Sequence, residues 1–198
     1  ILNHLGFTQW NLFIKWLTAI WKTKVPSNIH VYLWLAYYNK CLTRDNLAKR
    51  RLVEDPTCVF CSEKESIKHL FFELVVAVQI WKIISEGMCI TLPISFISLF
   101  VLWKQRKKKE DVNLVTSATL WGLWILRNEF VFQERKWRNI HCIMDLVGGL
   151  LRQWKILCSD SPDTLLLRCL RLLDRWRGEL LRIAWDASWT SLNLPIFC

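Results

Sequence analysis

Glycine and proline are scarce in this chain, 6 and 5 of 198 residues, while 53% of the residues are apolar and 22% charged. That composition excludes a disordered or low-complexity chain and favours helix. No internal repeat occurs, and no alternating apolar/polar run is long enough for a confident strand. A secretory signal is also missing: Asn3, His4, Gln9 and Asn11 interrupt the apolar residues at the start. The eight cysteines (41, 58, 61, 89, 142, 158, 169 and 198) are therefore read as thiols of a reducing, intracellular compartment, nucleus or cytoplasm, and not as a disulfide framework. The chain opens on Ile1, in mid-pattern and without a methionine, which is the expectation for a piece of something longer. One uncharged stretch, GMCITLPISFISLFVLW at 87–103, is short for a membrane span and contains Pro93 and three Ser or Thr; it reads as a buried helix, and no membrane partner is expected.

Aromatic residues are plentiful, with 13 Trp and 10 Phe. They recur at helical intervals, so they are read as core in preference to stacking platforms for bases. The length suits one globular domain or two small ones. Basic residues outnumber acidic ones 27 to 17, a net charge of +10 with pI near 9.4. Residues 1–50 carry seven Lys/Arg and one acid, and 101–158 carry eleven and five, so the positive excess flanks residues 51–100, which carry four and six. The densest run is QRKKKE at 105–110. A polyanion such as RNA or DNA is the partner this balance suggests, although solvated loops explain many such runs.

Helical periodicity is read at 10–21 (Trp10, Phe13, Ile14, Leu17, Trp21), ended by Pro26. Ser27 is the expected cap of a second helix, Thr43 that of a third, and the Asp55-Pro56 turn then presents Cys58. Further helices are expected over 67–84 with a break near Leu74 and a stop at Gly87, over 95–106, 111–132, 139–158 and 163–184. The last carries a stripe of Leu165, Cys169, Leu172, Leu173, Trp176, Leu180 and Ile183 with arginines beside it, which suits docking on the rest of the fold. The fold class is mostly α with a small Cys/His lobe, in three regions: 8–88, 89–158 and an amphipathic segment 159–198.

The stretch TCVFCSEKESIKHLFFEL at 57–74 carries the chemistry. Cys-x2-Cys works as a zinc clip because a tight turn aims two sulfurs at one point, and His69 adds an imidazole from the next helix. Cys58, Cys61 and His69 are the candidate metal ligands. Lys40, Arg44, Lys49, Arg50 and Arg51 beside them, and Arg106, Lys107, Lys108 and Lys109 further on, are the candidate nucleic-acid contacts.

The segment from Pro26 to Leu74 resembles the zinc-binding region of reverse transcriptases from plant LINE-type retroelements, in which a P-x-K-x-x-x-F-x-W helix, an L-x-T-x-x-x-L segment, Cys-x2-Cys, His-Leu-Phe and a final Cys follow one another. Pro26, Trp34, Leu42, Thr43, Leu47, Cys58, Cys61, His69, Leu70 and Phe71 match, as does Trp81 after Ile80. LWGLWILRNEFVF at 120–132 is similar to the W-x-x-W-x-x-R-N-x-x-x-F pattern that trails this region, so the resemblance runs over about residues 8–155. Two positions depart from it: Asn28 replaces the usual Lys, and Leu74 replaces the fourth cysteine, five residues after His69. A hydrocarbon cannot ligate zinc, so water, Glu73 or a distant thiol such as Cys41 or Cys89 is left to complete the shell.

The resemblance implies zinc as cofactor and a neighbouring polymerase on the same polyprotein. No Tyr-x-Asp-Asp occurs here, and Asp186 in AWDASW, which faintly matches the first carboxylate of an RNase H strand, has only twelve residues after it. No Gly-rich phosphate loop or nucleophile elbow is present. The expectation is a non-catalytic accessory region that contacts nucleic acid; the alternative is an element-derived helical interaction or scaffold module without metal.

Overall fold

The computed structural model describes residues 18, 20–89, 94–105, 110–133, 139–158 and 165–180. Most of the 10–21 stripe, the basic residues Arg106–Lys109, and everything beyond 180, Asp186 and Ile183 included, lie outside them. Seven α-helices are described: α1 (Ser27–Tyr37), α2 (Arg44–Lys49), α3 (Val75–Met88), α4 (Phe96–Gln105), α5 (Glu110–Phe132), α6 (His141–Trp154) and α7 (Leu165–Leu180). A π-helical turn, His69–Glu73, precedes α3, and a 3-10 turn, Lys155–Leu157, follows α6. Among the described residues there is no strand, only one isolated antiparallel bridge between Thr57 and Lys64. The mostly helical fold class expected from composition and periodicity is the one observed.

Helix α5 is central because it is apolar nearly all round: Val112, Leu114, Val115, Ala118, Leu120, Leu123 and Leu126 are all buried. It packs against α1, α3, α6, α7 and the π turn. Its buried threonines bond back within the helix: Thr119 donates to the Val115 carbonyl (2.9 Å), and the Thr116 hydroxyl donates to the Val112 carbonyl (2.7 Å) and accepts from the Trp103 indole (2.9 Å). Tyr32 of α1 donates its hydroxyl to the Leu120 carbonyl at 2.9 Å and packs edge-on against Trp121, so α1 is tied to the middle of α5. Gly122 lets α6 approach, since a Cβ there would stand 3.0 Å from Val147 Cγ2.

Two expected helix boundaries are corrected. Gly87 does not stop α3: the helix continues to Met88, and Cys89 takes the left-handed cap at φ 50°. Gly87 serves packing instead, because a Cβ would meet Cys169 Sγ of α7 at 3.0 Å. Ser27 is the first residue of α1, not its cap; Pro26 holds the cap position. The other expected break, at Leu74, is present, with ψ 134° between the π turn and α3.

Helix α7 docks its stripe on α3, α5 and α6, burying Leu166, Cys169, Leu170, Leu172 and Leu173. Its flanking charges pair within the fold, Arg175 with Glu86 (2.9 Å) and Arg177 with Asp145 (3.3 Å). Among the described residues, no helix is long and apolar enough to cross a membrane.

Candidate metal centre

The ligand loop is built by short-range hydrogen bonds. Asp55 accepts from the Thr57 amide at 2.8 Å and from its hydroxyl, and these bonds, with Arg44 nearby, hold the Asp55 carboxyl below the usual range. The chain then doubles back: the Cys58 amide donates to the Glu63 carbonyl (2.8 Å) and the Glu65 amide to the Pro56 carbonyl (2.9 Å). Inside that hairpin the Phe60 amide points at Cys58 Sγ, 3.4 Å away, so the turn between the two cysteines is wound around the first sulfur.

His69 arrives from the other side. Ser66 caps its helical segment, its hydroxyl accepting from the His69 amide at 3.0 Å. The chain then forms a π turn, closed by a 2.7 Å bond from the Leu74 amide to the His69 carbonyl. That geometry gives the five-residue spacing its meaning. In an α-helix, residues five apart stand about 140° apart around the axis; an i→i+5 bond brings residues 69 and 74 together. Trp81 satisfies the carbonyl that the distortion frees, its indole donating to Phe71 O at 2.7 Å.

The result is a cluster in which one ligand atom from each of Cys58, Cys61 and His69 lies within 4.8 Å of the others, with Cys61 Sγ 3.2 Å from His69 Nε2. A tetrahedral zinc with bonds of about 2.0–2.3 Å holds its ligands roughly 3.5 Å apart, so two sulfurs and an imidazole at this separation fit that ion. Burial pushes the Cys58 thiol up to about 12, and the buried Cys41 thiol likewise to about 12; a bound divalent cation acts in the opposite sense and takes the proton off. Among the described residues this is the one group of three such donors, and Cys41, Cys89 and Glu73 are not in it. Glu73 forms an ion pair with Lys68. Leu74 is 2% exposed and lines, with Cys61, His69, Phe60, Glu63, Glu73 and Val75, an open depression beside the cluster. The position expected for a fourth ligand therefore shares a depression with Cys61 and His69 and carries a hydrocarbon.

Residues 6–81 match the family model for zinc-binding in reverse transcriptase. The match takes in all three candidate ligands and ends at Trp81, whose indole donates to the Phe71 carbonyl of the π turn. No curated protein and no solved structure matches the chain.

Beside the Cys/His cluster lies a feature that periodicity did not disclose. Glu65 and Arg127 are both fully buried and pair at 2.8 Å, with Arg127 Nε and Nη2 both donating to Glu65 Oε1. The same oxygen accepts from the Arg44 amide at 2.8 Å, so Glu65 satisfies the N-terminus of α2. Thr43 stands at that cap position as expected, but its hydroxyl donates to Asp45 at 2.6 Å. A buried pair of this kind adds little by its presence, yet removing one partner costs about 3–5 kcal/mol because the other charge is stranded. An ion pair between residues 62 apart leaves no local signature; the Arg-Asn of the trailing motif was its only hint.

The basic residues near the loop divide. Half-buried Arg44 donates to the Asp55 carbonyl (3.0 and 3.1 Å), and Lys49, though exposed, pairs with Asp45 at 3.1 Å. Lys40, Arg50 and Arg51 are exposed. Arg51 is held at φ 58° in the turn that ends α2, a region where an L side chain is disfavoured.

Proposed function

We propose that this chain is a non-catalytic accessory region of a reverse transcriptase of the LINE retroelement type, working beside a polymerase in the nucleus or cytoplasm. Its zinc-binding region holds the metal through Cys58, Cys61 and His69. Zinc there is structural: when bound it ties the cysteine hairpin to the His69 helix and fixes the basic surface next to both. The convergence of the three donors inside the family-matched stretch carries this reading. Nucleic acid is its partner, met by Lys40 between α1 and α2 and by Arg50 and Arg51 at the end of α2, with contacts chiefly to phosphate and little sequence preference.

Salt titration tests the partner. Each phosphate contact on single-stranded RNA contributes about 0.7 to the slope of log affinity against log salt. Changing Arg50 and Arg51 together to Glu should lower affinity for single-stranded RNA and flatten the slope by about 1.4. An unchanged slope removes these residues from the interface. Burial of Leu74 favours a second reading, a helical interaction module that has lost its metal; zinc that leaves the melting temperature unmoved would select it.

A further inference from the structure

The C-terminal end of α5 reaches the ligand loop at two separate places. Arg127 holds Glu65, the residue that closes the cysteine hairpin and precedes the Ser66 cap of the His69 segment. Three residues on, Phe130 packs on Phe60, ring centroids 4.9 Å apart. Phe60 lies between Cys58 and Cys61, and its amide is the one directed at Cys58 Sγ. Both sides of the cluster, the cysteine turn and the start of the histidine segment, thus rest on one rigid helix. Arg127 is itself fixed: its Nη1 donates to Asn128 Oδ1 at 3.1 Å, and its guanidinium lies 5.3 Å from the Trp124 ring centroid. None of these α5 residues falls within the stretch matched to the family.

We propose that the end of α5 positions the metal ligands, Arg127 through Glu65 and Phe130 through Phe60, so that metal affinity depends on a helix beyond the matched zinc-binding region. The proposal rests on the metal reading above. Neither residue touches the metal; they are positioning residues. The physical ground is pre-organisation: three donors held at ligand spacing bind an ion without first ordering the loop, and a loop released from its support must be ordered by the metal itself.

The test is a Co2+ titration of the full 198-residue chain, followed through the visible absorption of the thiolate-bound ion, on four proteins. These are the unaltered chain, Arg127→Met, Phe130→Ala and, as a control, Leu114→Ala, a buried residue near the opposite end of α5. Arg127→Met and Phe130→Ala should each weaken Co2+ binding at least tenfold and shift the absorption bands, whereas Leu114→Ala should lower the melting temperature and leave affinity within twofold. Should Arg127→Met not fold, Phe130→Ala decides alone, since it strands no charge. Affinity within twofold and unshifted bands in Phe130→Ala overturn the proposal, as does an equal loss in Leu114→Ala. Cobalt binding by the parent with unaffected variants overturns this proposal only; no binding by the parent overturns the metal reading and the proposal with it.

Discussion

The ligand loop and the helical bundle are held together by different physics. Between Asp55 and Ser66 order comes chiefly from turns, a cap and one buried ion pair, with Cys58 and Cys61 converging there on His69. From α3 to α7 it comes from apolar burial, helix against helix, with Gly87 and Gly122 placed where a neighbouring helix comes close. Burial is distributed, so the loss of one contact is shared by its neighbours; a turn built from directed bonds loses its geometry when one of them goes. The bundle should therefore melt the same with or without metal, and the loop should not.

The largest effect tests that contrast. Leu151 of α6 is fully buried, and Leu151→Ala should lower stability by about 2–5 kcal/mol, equally in zinc and in chelator. Cys61→Ser should do the reverse, leaving the chelated protein within about 1 kcal/mol of the parent and abolishing the stabilisation by zinc. Melting curves of both variants, each with zinc and with chelator, check the pair of statements; equal zinc dependence in the two would erase the distinction.

The contrast also explains what was legible in advance. The helices could be read because burial leaves a period in the sequence: Cys169, Leu172 and Leu173 of the α7 stripe recur at helical spacing and are buried, although Leu166 and Leu170 complete the buried face where Leu165 was expected. The grouping of Cys58, Cys61 and His69 could be read because donor type and spacing are themselves the chemistry of a candidate metal site. What could not be read were the relations between distant residues. Nothing near Glu65 announces Arg127, and nothing in Gly87 distinguishes a helix stop from a close approach until Cys169 lies over it. The Ser66 cap was visible three residues before His69 and was missed. The partners of Arg44 and Lys49, the Asp55 carbonyl and the Asp45 carboxylate, were likewise not read from the sequence.

The second effect is on pH. Burial holds the proton on Cys58 up to about pH 12 in the metal-free protein, so it is still protonated at neutral pH and must be displaced when zinc binds. One proton released per ion makes affinity rise with pH, at least about tenfold per unit between pH 6 and 8. Competition titrations against a chelator of known pH behaviour measure the slope; a flat profile would mean that Cys58 is not a ligand. The bundle's own stability should not follow that slope.

A smaller effect sharpens the same boundary at Leu74, which belongs to both regions: it is buried like a bundle residue and stands where a ligand would stand. Without metal, Leu74→Cys should cost about 1–3 kcal/mol, since a thiol fills less space. With zinc it should bind at least tenfold tighter, about 1.4 kcal/mol or more, because the π turn sets residue 74 beside His69. Parent and variant titrated side by side decide the matter. No gain in affinity would mean that the thiol at 74 is directed into the core.

The smallest effect concerns Arg51, where the seam between loop and helices carries strain. The turn after α2 is closed by bonds from the Arg51 amide to the Ala48 carbonyl (2.9 Å) and from the Leu52 amide to the Leu47 carbonyl (3.0 Å), the pattern in which glycine ordinarily takes the left-handed position. Arginine occupies it at φ 58°, with its side chain exposed. An L residue there costs roughly 1–2 kcal/mol, of which glycine recovers part and returns some through its freer unfolded chain. Arg51→Gly should therefore raise stability by about 0.5–1 kcal/mol and, if the guanidinium meets phosphate, flatten the salt dependence of RNA binding by about 0.7. Denaturant unfolding and salt titration of this one variant read the two changes separately. A stabilised protein with unaltered RNA binding would leave the strain at Arg51 without the phosphate contact proposed for it.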